Sequence, residues 1–262
     1  MSSAEMARAM LQAASGAGPR LARATVIEGA GDMLSGTTVA LGEDGSSLGD
    51  ETLGGLVEAL LREALEQGAR GTISVRHNDQ NLAVYIEVVE PEDELIVVGG
   101  GHIGRSLSFI ASHVGFRVTV IDDREDYANS ERFPEADRVI CEDFVAALGG
   151  LRLGPTSYVV IVTRGHKQDE LALAEVAGSN AGYVGMIGSK RRVSAVFQHL
   201  IDGGISPEVL ERVHSPIGVD IGAETPEEIA VSIIAEIVGE RRKANLRSLS
   251  ATRPKAATRR RG

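Results

Sequence analysis

The 262-residue chain has 43% hydrophobic and 24% charged residues, which is ordinary for a globular protein with one large domain or two small ones. It has no apolar run near the ~20 residues of a transmembrane helix, so we expect no stable membrane insertion, and the composition of the first 20 residues leads us to expect no secretory signal. Its single cysteine, Cys141, excludes an internal disulfide framework and favours a cytoplasmic setting. Residues 1–240 carry 18 basic against 37 acidic side chains and aromatics are 3%, which argues against nucleic-acid binding.

The chain before Glu94 is predicted to form a small α+β domain at residues 1–90. Residues Glu51–Gln67 carry apolar side chains at the spacing of an amphipathic helix, and Gly68 is placed to end it. Four short stretches have the composition of strands: Val26–Ile27, Thr37–Leu41, Thr72–Val75 and Ala83–Val89. The polar run Pro91–Glu94 indicates a linker to the next domain.

A glycine motif between two strands predicts a Rossmann-type βαβ unit. The apolar strand Leu95–Val98 leads into Gly99, Gly101 and Gly104, a helix follows, and the next strand, Val118–Ile121, ends at Asp122-Asp123. In such units the first glycine permits a tight turn, the second lets the backbone approach a phosphate, and the third lets the helix pack on the strand. The helix N-terminus also offers unpaired N–H groups to an anion. We therefore expect a nucleotide-like ligand at this loop.

The alternation of strands and helices continues to residue 242, so the fold class is α/β, a Rossmann-like doubly wound parallel sheet at residues 94–242. The further predicted strands are Arg138–Cys141, Tyr158–Val162 and Tyr183–Ile187, and the helices are Phe144–Leu148, Lys167–Ala177, Ser189–Ile201 and Pro226–Arg241. The last helix has the clearest start, since Thr225 is a natural N-cap, Pro226 suits the first helical position and Glu228 completes a capping box. Residues 243–262 are expected to form a disordered basic tail, either inert or docking on an acidic partner.

Polar residues follow four predicted strands, and ligands of open α/β sheets bind beyond these carboxyl ends. The predicted ligand-binding residues there are Gly99, Gly101, His102, Gly104, Asp122, Asp123, Arg124, Arg164, Gly165, His166, Asp169, Gly188, Ser189 and Lys190. Their cations favour an anionic ligand such as a pyrophosphate or a pterin phosphate. Asp122 stands where it would accept a ribose diol and repel a 2′-phosphate, which favours NAD over NADP. Plainer interpretations stay open: His102 facing solvent, His166 with Asp169 capping a helix, and Lys190 on a solvated helix face.

The segment from His214 to Glu224 is too apolar and glycine-rich for a free loop. We expect it to fold back over the carboxyl edge of the sheet and to add His214 and Asp220 to the ligand site. A buried structural turn is the alternative. No Cys/His cluster has zinc-site spacing and no nucleophile motif is present, so we expect neither a metal site nor catalytic residues.

Six segments, in order, carry a resemblance to a known family: VVGGGHIGR, FRVTVIDDRE, RFPEADRVI, VIVTRGHKQDELAL, GYVGMIGSKRRV and RVHSPIGVDIGAETPEEIAVSIIAEI. Between about Glu87 and Arg241 the chain resembles the XdhC/CoxI/CoxF family, the accessory factors of xanthine dehydrogenase and carbon monoxide dehydrogenase. The resemblance implies a maturation factor that binds the molybdenum cofactor (molybdopterin), assists its sulfuration and helps insert it into an apo molybdenum hydroxylase. A cysteine desulfurase and a second copy of the chain, as a homodimer, are the other implied partners.

The chain departs from the family pattern at two places. In the N-terminal domain we expect a glycine-rich segment with a cysteine, whereas the corresponding Ser47–Glu58 has none, and Gln168 stands where a histidine is expected. Both differences argue against direct ligation of molybdenum. Two other functions stay open: an NAD-dependent oxidoreductase, whose proton donor would be His102, His166 or His214, and a nucleotide-sensing regulatory module.

Overall fold

The computed structural model describes residues 3–29, 33–67 and 70–248, and the chain divides into two compact units at residues 1–92 and 93–262. The first unit is an antiparallel sheet with two helices. Its elements are α1 (Ser3–Ala14), β1 (Leu21–Glu28), β2 (Thr38–Gly42), β3 (Ser47–Gly49), α2 (Glu51–Gln67), β4 (Gly71–His77) and β5 (Gln80–Val89), with strand order β3-β2-β1-β5-β4. α2 buries Leu53, Val57, Leu61 and Ala64 in the core of this unit.

In this unit α2 has the predicted bounds, and each predicted strand overlaps an observed one. The structure adds α1 and β3. α1 buries Met6 and Ala13, and Met6, Met10 and Ala13 follow a helical spacing that could have marked this helix. β3 is only three residues long, too short for a periodic pattern. Gly68, the predicted helix end, lies outside the described residues.

The second unit is a parallel five-stranded sheet with helices on both faces. Its elements are β6 (Glu94–Val98), α3 (His102–His113), β7 (Arg117–Asp122), β8 (Arg138–Cys141), α4 (Phe144–Gly149), β9 (Ser157–Ile161), α5 (His166–Val176), β10 (Tyr183–Met186), α6 (Lys190–Asp202), α7 (Pro207–Leu210) and α8 (Pro226–Arg241). The strand order is β10-β9-β6-β7-β8 and all pairs are parallel. The doubly wound Rossmann-like sheet is therefore confirmed. The sequence did not predict α7 or a short 3-10 helix at Glu125–Tyr127.

Alternate residues of the central strand enter two separate cores. Ile96 and Val98 belong to the core under α4, α5 and α6, whereas Leu95 and Val97 belong to the core under α3 and α8. A strand buried on both faces is uniformly apolar, which explains the unbroken run of hydrophobic residues in β6. No helix in the described ranges is both long and apolar enough to cross a membrane.

The strand order reverses at β6, because β7 follows it on one side and β9 pairs with it on the other. The loops after β6 and β9 therefore diverge from adjacent strands and leave a crevice at the carboxyl edge. After α8, residues 243–248 form neither helix nor strand, and a Cβ on Gly239 would lie 3.0 Å from Cγ of Leu246. The rest of the predicted tail, residues 249–262, lies outside the described residues.

Candidate functional site

A cavity of about 390 Å³ lies in this crevice, within the ~300–1,000 Å³ common for small-molecule sites. Its wall comes from the loops after β6, β7 and β9 and from the start of α8. The lining residues are Gly99, Gly101, His102, Ile103, Asp122, Arg124, Tyr127, Val162, Thr163, Arg164 and Pro226. Six of them were predicted as ligand-binding residues: Gly99, Gly101, His102, Asp122, Arg124 and Arg164.

The three motif glycines serve different geometric needs. Gly99 has φ +118°, and a Cβ there would lie 2.5 Å from the carbonyl oxygen of Val162 on the neighbouring strand. A Cβ on Gly104 would collide with the carbonyl of Gly99, so that glycine lets α3 approach β6. A Cβ on Gly101 would meet no atom within 4 Å, so the backbone at Gly101 borders open space. These positions match the expected roles of Gly99 and Gly104, and ligand approach at Gly101 stays a prediction.

Asp122 at the end of β7 is 1% exposed, and both of its carboxylate oxygens are bonded within the protein. Its Oδ2 accepts from the N–H of Gly100 (2.8 Å) and Nη2 of Arg124 (3.0 Å), while Oδ1 accepts from N (3.1 Å) and Nε (2.8 Å) of Arg124. Burial alone would raise the pKa of Asp122, but these hydrogen bonds and the Arg124 charge outweigh it and hold the pKa below its ordinary value. Asp122 therefore borders the cavity as a carboxylate whose two oxygens already accept hydrogen bonds within the protein, and its contact with a ribose diol stays a prediction.

A stack of the side chains of Arg124, Tyr127 and Arg132, all of which follow β7, supports this wall. The guanidinium carbon of Arg124 lies 3.6 Å from the centre of the Tyr127 ring, and that of Arg132 lies 5.1 Å from it. Arg132 Nε donates to the carbonyl of Gly100 (3.0 Å). The glycine loop is therefore held by Asp122 through its N–H and by Arg132 through its carbonyl. Tyr127 ends a short 3-10 helix, Glu125–Tyr127, and no motif in the sequence marks it. Arg132 opens the family-like segment RFPEADRVI, which could have marked it.

The loop after β9 supplies the opposite wall. Arg164 Nη2 donates to Oδ2 of Asp123 (2.9 Å), so these two predicted residues pair with each other across the crevice, although Asp123 does not line the cavity. Thr163 donates from Oγ1 to Oδ1 of Asp169 (2.5 Å), and the other oxygen of Asp169 is paired with Arg192. Thr163 was missed although it directly follows a predicted strand, a position that could have marked it.

Asp169 is fully buried, and burial raises its pKa despite the bonds from Thr163 and Arg192. Asp169 does not line the cavity, but it anchors the loop through Thr163 and ties it to α6 through Arg192. His166 is exposed at the start of α5 and makes no cap with Asp169, because the N-cap is Gly165 without a side-chain bond.

The remaining predicted residues lie outside this cavity. Ser189 caps α6 by accepting from the N–H of Arg192 (3.3 Å), Gly188 precedes it, and Lys190 at the start of α6 is exposed. The ring of His214 stacks on Tyr183 at 4.4 Å between centroids, and its Nδ1 lies 3.5 Å from Oε1 of Glu236. Asp220 is exposed. The segment runs beside β10, and none of its residues lines the cavity, which Pro226 reaches at the start of α8. The structure therefore places His214 and Asp220 away from this cavity.

Cys141 is a free, exposed thiol at the end of β8, in register with Asp122 on the next strand. Within residues 3–29, 33–67 and 70–248, no three His, Cys, Asp or Glu side chains are grouped so that they could hold a metal ion.

The chain is similar to several known proteins. Over 158 residues it is 34% identical to the uncharacterized protein YqeB of Escherichia coli K12, which covers 60% of this chain and 29% of that protein. Over 172 residues it is 34% identical to a probable xanthine dehydrogenase subunit from Bacillus subtilis, covering 66% of this chain and 50% of that one. The chain therefore spans at most half the length of these relatives.

A crystal structure described as a xanthine dehydrogenase from Bacillus halodurans has the same fold, with a TM-score of 0.52, 20% identity, and coverage of 97% of this chain and 98% of that one. The model of the XdhC Rossmann domain matches residues 95–237, which contain the glycine loop, the crevice and most of α8. This match spans more than half of the sequence, and the chain belongs to the XdhC family.

Proposed function

We propose that this protein is an accessory factor of a xanthine dehydrogenase-like molybdenum hydroxylase, which binds the molybdenum cofactor as cargo and assists its sulfuration and insertion. The observation that carries the proposal is the family match over residues 95–237. The similarity to a protein named as a probable subunit of xanthine dehydrogenase supports the same association. A cysteine desulfurase partner and a homodimer stay predictions.

The cavity at the carboxyl edge is the proposed cargo site. It combines an open backbone at Gly101, the N-terminus of α3 and the cations Arg124 and Arg164, which are groups that bind anionic oxygen atoms. Its volume of about 390 Å³ admits a pterin with a phosphate. The sole cysteine, Cys141, does not line this cavity, so the chain would hold the cargo through hydrogen bonds and charge rather than through a thiolate.

The proposal is tested in cells that lack the protein. The target hydroxylase should accumulate at its normal level but with little activity, and extraction should show that its cofactor or its terminal sulfur is missing. Restoring the wild-type gene should restore activity. Fully active hydroxylase in the deleted cells would refute the maturation role.

A second test uses the purified protein and separates cargo from nucleotide. Protein isolated from cells that make the cofactor should release a fluorescent oxidised pterin on denaturation. Protein from cells blocked in pterin synthesis is the control and should release none. Tight NAD binding with hydride transfer and no pterin would instead support the oxidoreductase alternative.

A further inference from the structure

At the end of β7 the side chain that faces the cavity is a guanidinium, whereas the sequence predicts a carboxylate there. Asp122, the acidic residue at this point, is 1% exposed, whereas the side chain of Arg124 in front of it is 31% exposed and lines the same cavity. A ribose diol needs an exposed acceptor to receive its O–H groups. The four hydrogen bonds to Asp122, from Gly100 and Arg124, occupy both carboxylate oxygens. Asp122 therefore cannot select a diol without first losing Arg124.

Arg124 is held in one orientation by two contacts. Its Nε and Nη2 donate hydrogen bonds to the carboxylate of Asp122. Its guanidinium carbon also lies 3.6 Å from the centre of the Tyr127 ring, which packs against the guanidinium. Within the described part of the chain, no hydrogen bond uses Nη1 of Arg124, which leaves donors for an anion. A guanidinium that is already ordered loses little conformational entropy when it binds a phosphate.

The neighbouring carboxylates do not oppose an anion here. Asp122 is neutralised by Arg124, and Asp123 is paired with Arg164 on the facing loop. The half-exposed Arg164 and the open N-terminus of α3 at Gly101 line the same cavity and add further donors.

We propose that Arg124, and not Asp122, is the recognition group at the end of β7, and that the cavity there selects a ligand carrying a phosphate monoester over the same ligand with a free hydroxyl. This inference rests on the proposed function for the existence of a ligand, and it specifies the ligand's chemistry. Two sources share that chemistry: a pterin phosphate and a 2′-phosphorylated nucleotide.

The experiment measures dissociation constants by calorimetry for two matched pairs of probes. The first pair is neopterin 3′-monophosphate against neopterin, and the second is NADP⁺ against NAD⁺. Each charge-assisted contact in such a site is worth enough to expect about a tenfold or larger preference for the phosphorylated member. Tighter binding of neopterin 3′-monophosphate than of neopterin supports both phosphate recognition by Arg124 and the proposed cargo. Preference in the nucleotide pair alone supports the subsite and contradicts the pterin cargo.

Variants identify the group responsible. Arg124→Ala should remove the preference by weakening the phosphorylated probe about tenfold, while the unphosphorylated probe binds as well or better because Asp122 is released. The double variant Asp122→Asn/Arg124→Ala avoids an unpaired buried charge and should lose the preference as well. Arg105→Ala is the control, because Arg105 lies on α3 and does not line this cavity, and this variant should keep the preference. Equal affinities within both pairs in the wild type, or no binding of either phosphorylated probe, would overturn the inference.

Discussion

Two buried carboxylates at the site differ in the direction of their pKa shifts, and the number of donors around each explains the difference. Asp122 accepts four hydrogen bonds from Gly100 and Arg124, so its pKa is lowered despite burial. Asp169 is bonded by Thr163 and Arg192, and burial prevails, so its pKa is raised. Folding therefore stabilises the ionised form of Asp122, whereas it disfavours the ionised form of Asp169.

The first prediction is a pH dependence of stability that belongs to Asp122. A carboxylate with a lowered folded pKa stabilises the native state above its unfolded pKa of about 3.9, and the contribution is lost as the pH falls towards the folded pKa. The difference in unfolding free energy between the wild type and Asp122→Asn should therefore be constant above about pH 5 and shrink below pH 4. Urea unfolding at a series of pH values measures it. Because the other carboxylates cancel in the difference, a pH-independent value would contradict this role.

The glycine loop provides a second prediction at the residue scale. Gly101 has φ −67° and ψ −168°, at the edge of the extended region that residues with a side chain adopt, and a side chain there would project into open space. Gly101→Val should lower stability by about 1 kcal/mol or less, as expected of a poor N-cap residue, but should abolish binding of the preferred probe. Gly104→Val is the matched control, and it should cost roughly 1–3 kcal/mol or more by overpacking against the Gly99 carbonyl. If Gly101→Val binds the probe with wild-type affinity, the ligand does not bind at the glycine loop.

Local patterns in the sequence predict the glycine loop but not its partners. The spacing of Gly99, Gly101 and Gly104 encodes a turn that depends on few neighbours, so its geometry follows from the motif. The position of Arg132, 32 residues from the carbonyl that it binds, depends on how an irregular segment folds back. The sequence also does not show whether Asp122 faces a ligand or its near neighbour Arg124, because both arrangements use the same residues.

The element that changed most from its prediction is the segment His214–Glu224 beside β10. The edge strand β10 exposes unpaired backbone groups, and the segment satisfies them: the N–H groups of His214 and Ile217 bond to the carbonyls of Val184 and Met186, and Ser215 Oγ also donates to Met186. Ser232 on α8 donates to the carbonyl of Val219 (2.6 Å). Covering an edge strand explains why the segment is apolar and glycine-rich without contacting the cavity.

Helix α8 was predicted with its full bounds, because its signals are local. Thr225 accepts from the N–H of Glu228 (3.2 Å), and Glu228 accepts from the N–H of Thr225 (3.1 Å), as the T-x-x-E pattern predicts. The contacts of Glu236 in the middle of the helix carry no such pattern, since they join residues far apart in the chain. Local capping can be read from sequence, and tertiary hydrogen bonds cannot.

The third prediction concerns Glu236, which links three elements. Its Oε1 accepts from the hydroxyl of Tyr183 (2.5 Å), and its Oε2 accepts from the N–H of Gly218 (3.1 Å). Burial and this carboxylate raise the pKa of Tyr183 above its ordinary value, so the hydroxyl stays a donor at neutral pH. Tyr183→Phe should cost about 1.5–3 kcal/mol, and a cycle with Glu236→Gln should give a coupling energy of about 1–2 kcal/mol.

The exposed Asp220 on the same segment provides the control. Asp220→Asn should change the unfolding free energy by less than about 0.5 kcal/mol and should leave probe binding unchanged. Additive effects of Tyr183→Phe and Glu236→Gln would mean that the hydrogen bond contributes nothing to holding the segment. A change in binding by Asp220→Asn would restore this residue to the site.

At the scale of the whole chain, charge is divided unevenly along the sequence. Residues 1–240 hold 18 basic and 37 acidic side chains, whereas residues 241–262 hold nine basic and none that are acidic. Such a distribution orients encounters with a partner of complementary charge, mainly by raising the association rate. α8 ends at Arg241, whose Nε is 2.6 Å from Asp93, and Leu246 lies near Gly239, so a truncation should spare residues up to 248.

The last prediction follows from this division and rests on the proposed function. Removing residues 249–262 takes away five of the nine basic side chains and none of the described contacts of α8. The unfolding free energy and the probe affinities should therefore stay at their wild-type values. If the tail steers the encounter, activation of the target hydroxylase should slow at low ionic strength, and the difference should vanish as salt screens charges beyond about 10 Å at 0.1 M. A full-length variant with the five basic residues changed to glutamine separates charge from length and should behave like the truncation. Equal activation rates at every salt concentration would show that the tail takes no part in the encounter.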